Sequence, residues 1–446
     1  PAEMPEGVGM ESAPFDPLWL NTVDQLYHYE WSVGKLLRIR LLERSIGTFW
    51  PNGHPTRIVH VAGSNGKGST CRMLEAALGT LGPSGCWVNP HLFDYVERFR
   101  VRGEPADKLA LARIWQETVL PHSLDREESG AGRGLSFAEA GILLALHLFQ
   151  REGLRWAAFE TGVGGRYAPT MALDPELCLL TNVGHDHPRT LGSQAWQVAL
   201  EKAGIARRGR PLLSTATGAS ADFVRRTAES QGAECVILGE REREEVRDLL
   251  PPDARAHRGE HWLGNASLAL AAARLLEPTL DAGLAVRAMQ SAAPLEGRFW
   301  LVDTDLLADV AHNRDKVGAL AEDLRREYPG RPIHLLAGLS RQRAAMEVLG
   351  PLLPLVGRIT LTNASYAGRD PELLRDELRA GGVNCPLDVQ PDPVLALAEA
   401  RARLEPGALL VLTGSAYTVD QALNPDPFHR TMNREFGRRG AADPGM

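Results

Sequence analysis

The chain has 446 residues, a formal net charge of −7 and 44% hydrophobic residues. That length suits two or three domains, and the acidic balance excludes a general nucleic-acid binder, whose surface would be basic. No apolar run approaches the roughly 18 residues of a membrane span, and the opening residues lack a signal-peptide pattern, so a cytoplasmic protein is expected.

The first residues, 1–17, are polar and rich in Pro and Gly and predict a mobile arm. Residues 18–48 have helical spacing. "TRIVHVAG" (56–63) is a short β-branched run ending in glycine, which predicts a buried strand. "STCRMLEAALGTLG" (69–82) then predicts a helix stopped by Gly82 and Pro83. The stretch between them, "HVAGSNGKGST" (60–70), resembles a phosphate loop but departs from G-x-x-x-x-G-K-[ST]. Val61 stands where the first glycine would be, and Gly68 follows Lys67.

"SFAEAGILLALHLFQREG" (136–153) predicts a helix with Ser136 and Glu139 at capping-box spacing. "RWAAFETGVGG" (155–165) and "ELCLLTNVGHDH" (176–187) predict strands ending in polar clusters. A helix over 193–209 and a strand over 210–215 follow. A second alternation starts near 297, with strands predicted over 299–304, 306–312, 331–338, 358–364 and 408–415. Strands alternating with helices predict an α/β fold with mostly parallel sheets. The expected organisation is a phosphate-loop α/β domain over 18–296, a smaller Rossmann-like α/β domain over 297–425 and a polar tail over 426–446.

Parallel sheets place their sites at strand carboxyl ends, where the polar clusters fall. Gly63, Gly66 and Gly68 let backbone approach a phosphate, Asn65 completes the loop, Lys67 reaches the terminal phosphates, and Ser69 and Thr70 offer hydroxyls. Glu160, at a buried strand end, is a candidate Mg²⁺ ligand or an ion-pair partner of an arginine such as Arg166. His185, Asp186 and His187 form a second candidate metal or phosphate cluster.

The five cysteines (Cys71, Cys86, Cys178, Cys235 and Cys385) form no CxxC or zinc-like set, so reduced thiols are expected. Of 49 basic residues, only Lys35, Lys67, Lys108, Lys202 and Lys316 are lysine. Where arginine serves for generic charge, Lys67 and Lys202 in suspected sites point to a need for a primary amine.

In order, "HVAGSNGKGST", "FETGVGGR", "GHDHPRTLG…EKAGI", "HWLGNASLALAA", "EGR", "DVAHN" and "LTGSAY" resemble the motifs of the Mur ligase superfamily. Within it, they are similar to the folylpolyglutamate synthase/dihydrofolate synthase family over roughly residues 20–420. The resemblance implies an ATP-dependent ligase that activates a folate or dihydropteroate carboxylate as an acyl phosphate and joins it to L-glutamate. It implies phosphate binding by Lys67 and Ser69, and Mg²⁺ at two sites with Glu160 and His187 as ligands. It also implies a CO₂-derived carbamate on Lys202. Asn265, Arg298, Asp309 and His312 match nucleotide-holding positions. The family is commonly monomeric.

Three departures concern the acid side, to which His91 and Arg166 also belong. Asn89 replaces a serine that helps ligate metal in the family. Ala168 and Met171 stand where an acid and an amide would be. Two alternatives stay open: a Mur-type ligase with a different acid or amino-acid substrate, and a nucleotide-binding protein without ligase activity.

Overall fold

The computed structural model describes residues 29–128, 134–184, 188–192, 194–255, 258–292, 295–340 and 343–424. The run at 57–62 forms β1 (Arg57–Ala62), buried over five of its six residues. Its neighbours β5 (Trp156–Glu160) and β6 (Leu177–Leu180) are wholly buried and run parallel to it. Near-continuous apolar runs of this kind suit strands covered on both faces by helices. With β2 (Ser84–Trp87), β3 (Phe99–Val101), β4 (Glu104–Pro105), β7 (Leu212–Ser214) and β8 (Cys235–Ile237) they form a sheet of order β4-β3-β2-β5-β1-β6-β7-β8. Only the β2–β3 and β3–β4 pairings are antiparallel. The loops after β1, β5 and β6 therefore open at one edge.

A second sheet has the order β13-β12-β11-β14-β10-β9. Its strands are β9 (Trp300–Asp303), β10 (Leu306–Ala308), β11 (Ile333–Ala337), β12 (Val356–Leu361), β13 (Leu387–Val389) and β14 (Leu409–Thr413). Only β9 is antiparallel to its neighbour. The first sheet thus ends at Ile237 and the second starts at Trp300. The strand predicted over 306–312 stops at Ala308, which leaves Asp309–His312 as a loop beyond its carboxyl end.

Helices fix the edges. α1 (Tyr29–Phe49) is tied to α3 (Phe137–Arg151) by Arg38, whose Nε lies 3.0 Å from Glu139. Glu139 also closes the capping box foreseen at Ser136, accepting that residue's N–H at 2.7 Å. α2 (Lys67–Gly79) packs on the long helix α5 (Glu260–Leu276) through Leu74, Leu78, Ala266 and Leu270 in one apolar cluster.

The two sheets are joined by an apolar peg. Leu92, from the first half, is buried among Leu306, Val310 and Leu412 of the second. Phe93 meets Trp300 edge-on at 5.9 Å. Burying a leucine side chain contributes about 2 kcal/mol, so the facing loops of the two halves are held together.

Candidate functional site

The phosphate-loop geometry starts at Gly66, which caps α2 in the left-handed region at φ 79° with no side-chain cap. Glycine adopts that conformation without steric cost. The first-turn N–H groups of a helix have no intrahelical acceptor, so they face out of its N-terminus toward whatever anion sits there. The end of β6 holds the loop in place. Thr181 donates its hydroxyl to Asn65 O at 2.5 Å, and Asn182 Oδ1 accepts the Asn65 N–H at 2.9 Å. Ser64 Oγ accepts from Gly184 N at 2.9 Å. From the opposite side, Asn265 on α5 presses on Gly66, where a Cβ would lie 2.9 Å from its amide carbon.

Two lysines converge behind this loop. Lys67 curls back so that Nζ donates to Gly63 O at 3.0 Å and to Ser64 O at 3.4 Å. Lys202, on α4 (Ala195–Ala203), is fully buried and donates to the same Gly63 O at 2.9 Å. The glycines of "GVGGR" explain how α4 comes so close. A Cβ on Gly165 would collide with Glu201 O and stand 2.9 Å from Lys202 O. Arg166 lies beside them, with its Nε 2.6 Å from Glu201 Oε1. Glu160 therefore does not take Arg166 as its partner.

Glu160 ends β5 at 3% exposure. Its Oε2 accepts the Asn89 N–H at 2.7 Å, and Oε1 lies 4.0 Å from Lys67 Nζ. Burial pushes its carboxyl above the usual range, opposed by Lys67, the Asn89 N–H, Arg298 and Lys316. It faces the loop directly, since a Cβ on Gly68 would be 3.1 Å from Oε2. Asn65 Oδ1, in the loop, and Thr70 Oγ1, in the first turn of α2, are buried without a partner among the described residues. A carboxylate, unpartnered polar oxygens and a phosphate cradle are a donor set that fits Mg²⁺, which prefers one or two carboxylates together with phosphate and water. Asn89 contributes differently from expectation: its Oδ1 accepts from Arg98, and its Nδ2 donates to Glu160 O at 3.2 Å. His185, Asp186 and His187 lie outside the described residues.

The second half supplies the facing wall. Asp309 is held by N–H groups of Phe299 and Ala311, each at 2.7 Å, while burial pushes its carboxyl upward. His312 Nδ1 donates to Val310 O at 2.8 Å, so Nε2 is its acceptor, and Lys316 Nζ stands 3.3 Å from it. Burial first, and then the Lys316 charge, push this imidazole down to about 3, which keeps it neutral. Arg298 lines a cavity of about 230 Å³ with Asn89, His91 and Glu296.

Below that cavity, Arg98 organises two of its lining residues, His91 and Asn89. Its Nε donates to His91 Nδ1 at 2.8 Å, and its guanidinium stacks 5.5 Å from Tyr95 and 5.1 Å from Phe137. Ala168 and Met171 do not line the cavity with His91. Ala168 is buried, and Met171 packs under Arg207, whose Nη2 donates to its carbonyl at 3.0 Å. Sequence reading missed Thr181, Asn182, Arg98 and Lys316. For Lys316 a signal was present, since it is one of the five scarce lysines and follows "DVAHN" closely.

Residues 297–416 match the Mur ligase, glutamate ligase domain. The Escherichia coli dihydrofolate synthase/folylpolyglutamate synthase is 31% identical over 310 residues, 66% of this chain and 69% of that protein. A probable bifunctional folylpolyglutamate synthase/dihydropteroate synthase of Haloferax volcanii is 32% identical over 389 residues, 80% of this chain. The chain spans under half of that relative's length, 46%. Among solved structures, the Yersinia pestis bifunctional folylpolyglutamate synthase/dihydrofolate synthase complexed with AMPPNP and Mn ion superposes with a TM-score of 0.70 at 25% identity. That match covers 86% of this chain and 92% of the other.

Proposed function

The chain belongs to the dihydrofolate synthase/folylpolyglutamate synthase family of ATP-dependent Mur-type ligases, and from that premise we propose that it joins L-glutamate to a folate-type carboxylate. The observation that carries this reading is the convergence of Lys67, Lys202 and Glu160 on one phosphate loop. Nucleotide binding alone needs the loop. It does not need a fully buried second amine and a buried carboxylate beside it.

In the proposed reaction a carboxylate oxygen of the acid attacks the γ-phosphorus of ATP, the bond to ADP breaks, and an acyl phosphate forms. The glutamate amine then attacks the acyl carbon, phosphate leaves and the amine proton is released. Charge concentrates on the transferring phosphoryl group, and preorganised donors aimed there lower the barrier. The α2 N-terminus and Lys67 serve that role, and Arg298, Asp309 and Asn265 hold the nucleotide from both halves. Glu160 would hold Mg²⁺ beside Ser69 and Thr70, with His187 a further candidate; the ion would neutralise phosphate charge. The carbamate on Lys202 is compatible with its setting, because a carbamylated lysine keeps an N–H for Gly63 O. His91 and Arg166 are assigned to the acid side.

The reading includes a cytoplasmic monomer of the two-domain layout described above. All five cysteines are free thiols, which supports a reducing compartment. Among the described residues no helix is long and apolar enough to cross a membrane.

The test is incubation with Mg-ATP, L-glutamate and either dihydropteroate or a reduced folate, following ADP and product mass. Glutamate-dependent ADP release with a product heavier by one glutamyl residue supports the proposal. Turnover only with an unrelated acid reassigns the substrate. Nucleotide binding without turnover on any acid rejects ligation.

A further inference from the structure

Lys316 lies in the first turn of α6 (Arg314–Glu327), a helix capped by Asn313, whose Oδ1 accepts the Lys316 N–H at 2.9 Å. Its ammonium is steered by a short relay: Val310 O accepts from His312 Nδ1, and His312 Nε2 faces Lys316 Nζ at 3.3 Å. A neutral imidazole with its outer lone pair turned to an ammonium is a hydrogen-bond acceptor for it, not an independent donor to an anion.

The same helix turn lies against the segment after β6 that braces the phosphate loop. A Cβ on Gly184 would stand 3.0 Å from Asp315 Oδ2, and Gly184 donates to Ser64 Oγ. The charge of Lys316 is felt both by Glu160, in the first sheet, and by Asp309, in the second. Lys316 is therefore a primary amine on the second half that faces the phosphate-loop side of the cleft.

We propose that Lys316 is a further catalytic residue, whose ammonium contacts the phosphoryl group during its transfer to the acid, and that His312 is the positioning residue that holds it there. The proposal rests on the ligase reading above. It gives His312 a role through Lys316 and places a cation opposite Lys67, so that the phosphoryl group is met from both halves.

The test compares the full-length chain with Lys316→Met, Lys316→Gln and His312→Ala, with Lys108→Met as a control on an exposed ion pair with Asp94. Loss of a donor to the transferring group is expected to lower kcat about 100-fold, with KM for glutamate unchanged within about twofold and an unchanged melting temperature. Ethylammonium in the buffer is expected to restore part of the Lys316→Met rate and to leave the wild-type rate unaffected. His312→Ala is expected to lower kcat about tenfold alone and to add no further loss in the Lys316→Met background.

Wild-type kcat in folded Lys316→Met and Lys316→Gln overturns the proposal. A raised KM for glutamate at unchanged kcat also overturns it, because the ammonium then serves the amino acid's carboxylate. Failure of the unmutated chain to ligate is a separate outcome: it removes the ligase reading, and this proposal with it.

Discussion

Lys67 and Lys202 share one acceptor: their Nζ atoms lie 3.0 and 2.9 Å from the carbonyl oxygen of Gly63. One backbone carbonyl thus ties the phosphate loop to the buried face of α4. Two ammonium groups on one carbonyl repel each other, and Glu160 lies 4.0 Å from Lys67. Adding CO₂ to Lys202 would replace one of those positive charges with a negative group while leaving an N–H for Gly63. The lysine is also out of reach of bulk water, so the modified form would persist.

Lys202→Arg is expected to lower kcat at least about 100-fold, in the range seen when one preorganised charged group is lost, while nucleotide still binds. Guanidinium keeps the charge but cannot form the carbamate. Carbon-13 bicarbonate is expected to give a carbamate resonance in the wild type that the variant lacks. Full activity in the variant would rule the carbamate out.

Two neighbouring glycines make a matched pair. A Cβ at Gly165 would press on the carbonyls of Glu201 and Lys202, and backbone cannot give way cheaply, whereas a Cβ at Gly162 meets nothing within 4 Å. Gly165→Ala is expected to destabilise by about 1–3 kcal/mol and to reduce ligation by displacing Lys202. Gly162→Ala should stay within about 0.5 kcal/mol of wild type. Urea unfolding followed by fluorescence measures both, and equal stabilities would sink the packing argument.

Glu160→Gln is nearly isosteric and keeps an acceptor for the Asn89 N–H, but it removes the carboxylate that would hold the metal. Ligation should drop at least about 100-fold without loss of the fold. Mn²⁺ binding, read by electron paramagnetic resonance in the presence of nucleotide, should weaken in parallel. Unchanged Mn²⁺ affinity would move the metal elsewhere.

A pH limb is expected from His147, which packs against Phe49 at 4.5 Å and Trp50 at 4.6 Å. Burial, with the charges of His54 and His122, lowers it from the ordinary 6.5 to about 4. The unfolded chain therefore takes up the proton first. The stabilisation is fully present above about 6.5 and is lost as pH falls toward 4. His147→Phe, which keeps a ring in the stack, should flatten this part of the stability profile, measured as melting temperature from pH 7 to pH 4. An unaltered slope would show that other groups carry it.

How much was legible follows from how local each signal is. β1, the loop and α2 sit within some twenty consecutive residues, and the Ser136–Glu139 capping box within four, so pattern alone reached them. β2 was not read: "SGCW" has no alternation because all four residues are buried, and Gly85 is small where Leu154 and Arg100 O crowd in. Thr181 and Asn182 act on Asn65 across more than a hundred residues of sequence, a pairing that only the β1–β6 register makes visible. Asn89 was read as a metal ligand from its position, yet its amide oxygen is taken by Arg98, nine residues further on. Lys316 stood out in the sequence only as a scarce lysine; its place beside His312 is set by the turn of helix between them.

The central claim is that the γ-phosphate passes through the substrate's carboxylate, and oxygen-18 in that carboxylate tests it most directly. Each turnover is expected to transfer one labelled oxygen to the released phosphate, in step with glutamate-dependent formation of the amide. Amide formation with unlabelled phosphate would contradict an acyl-phosphate route. ADP release without any amide would contradict the ligase assignment itself.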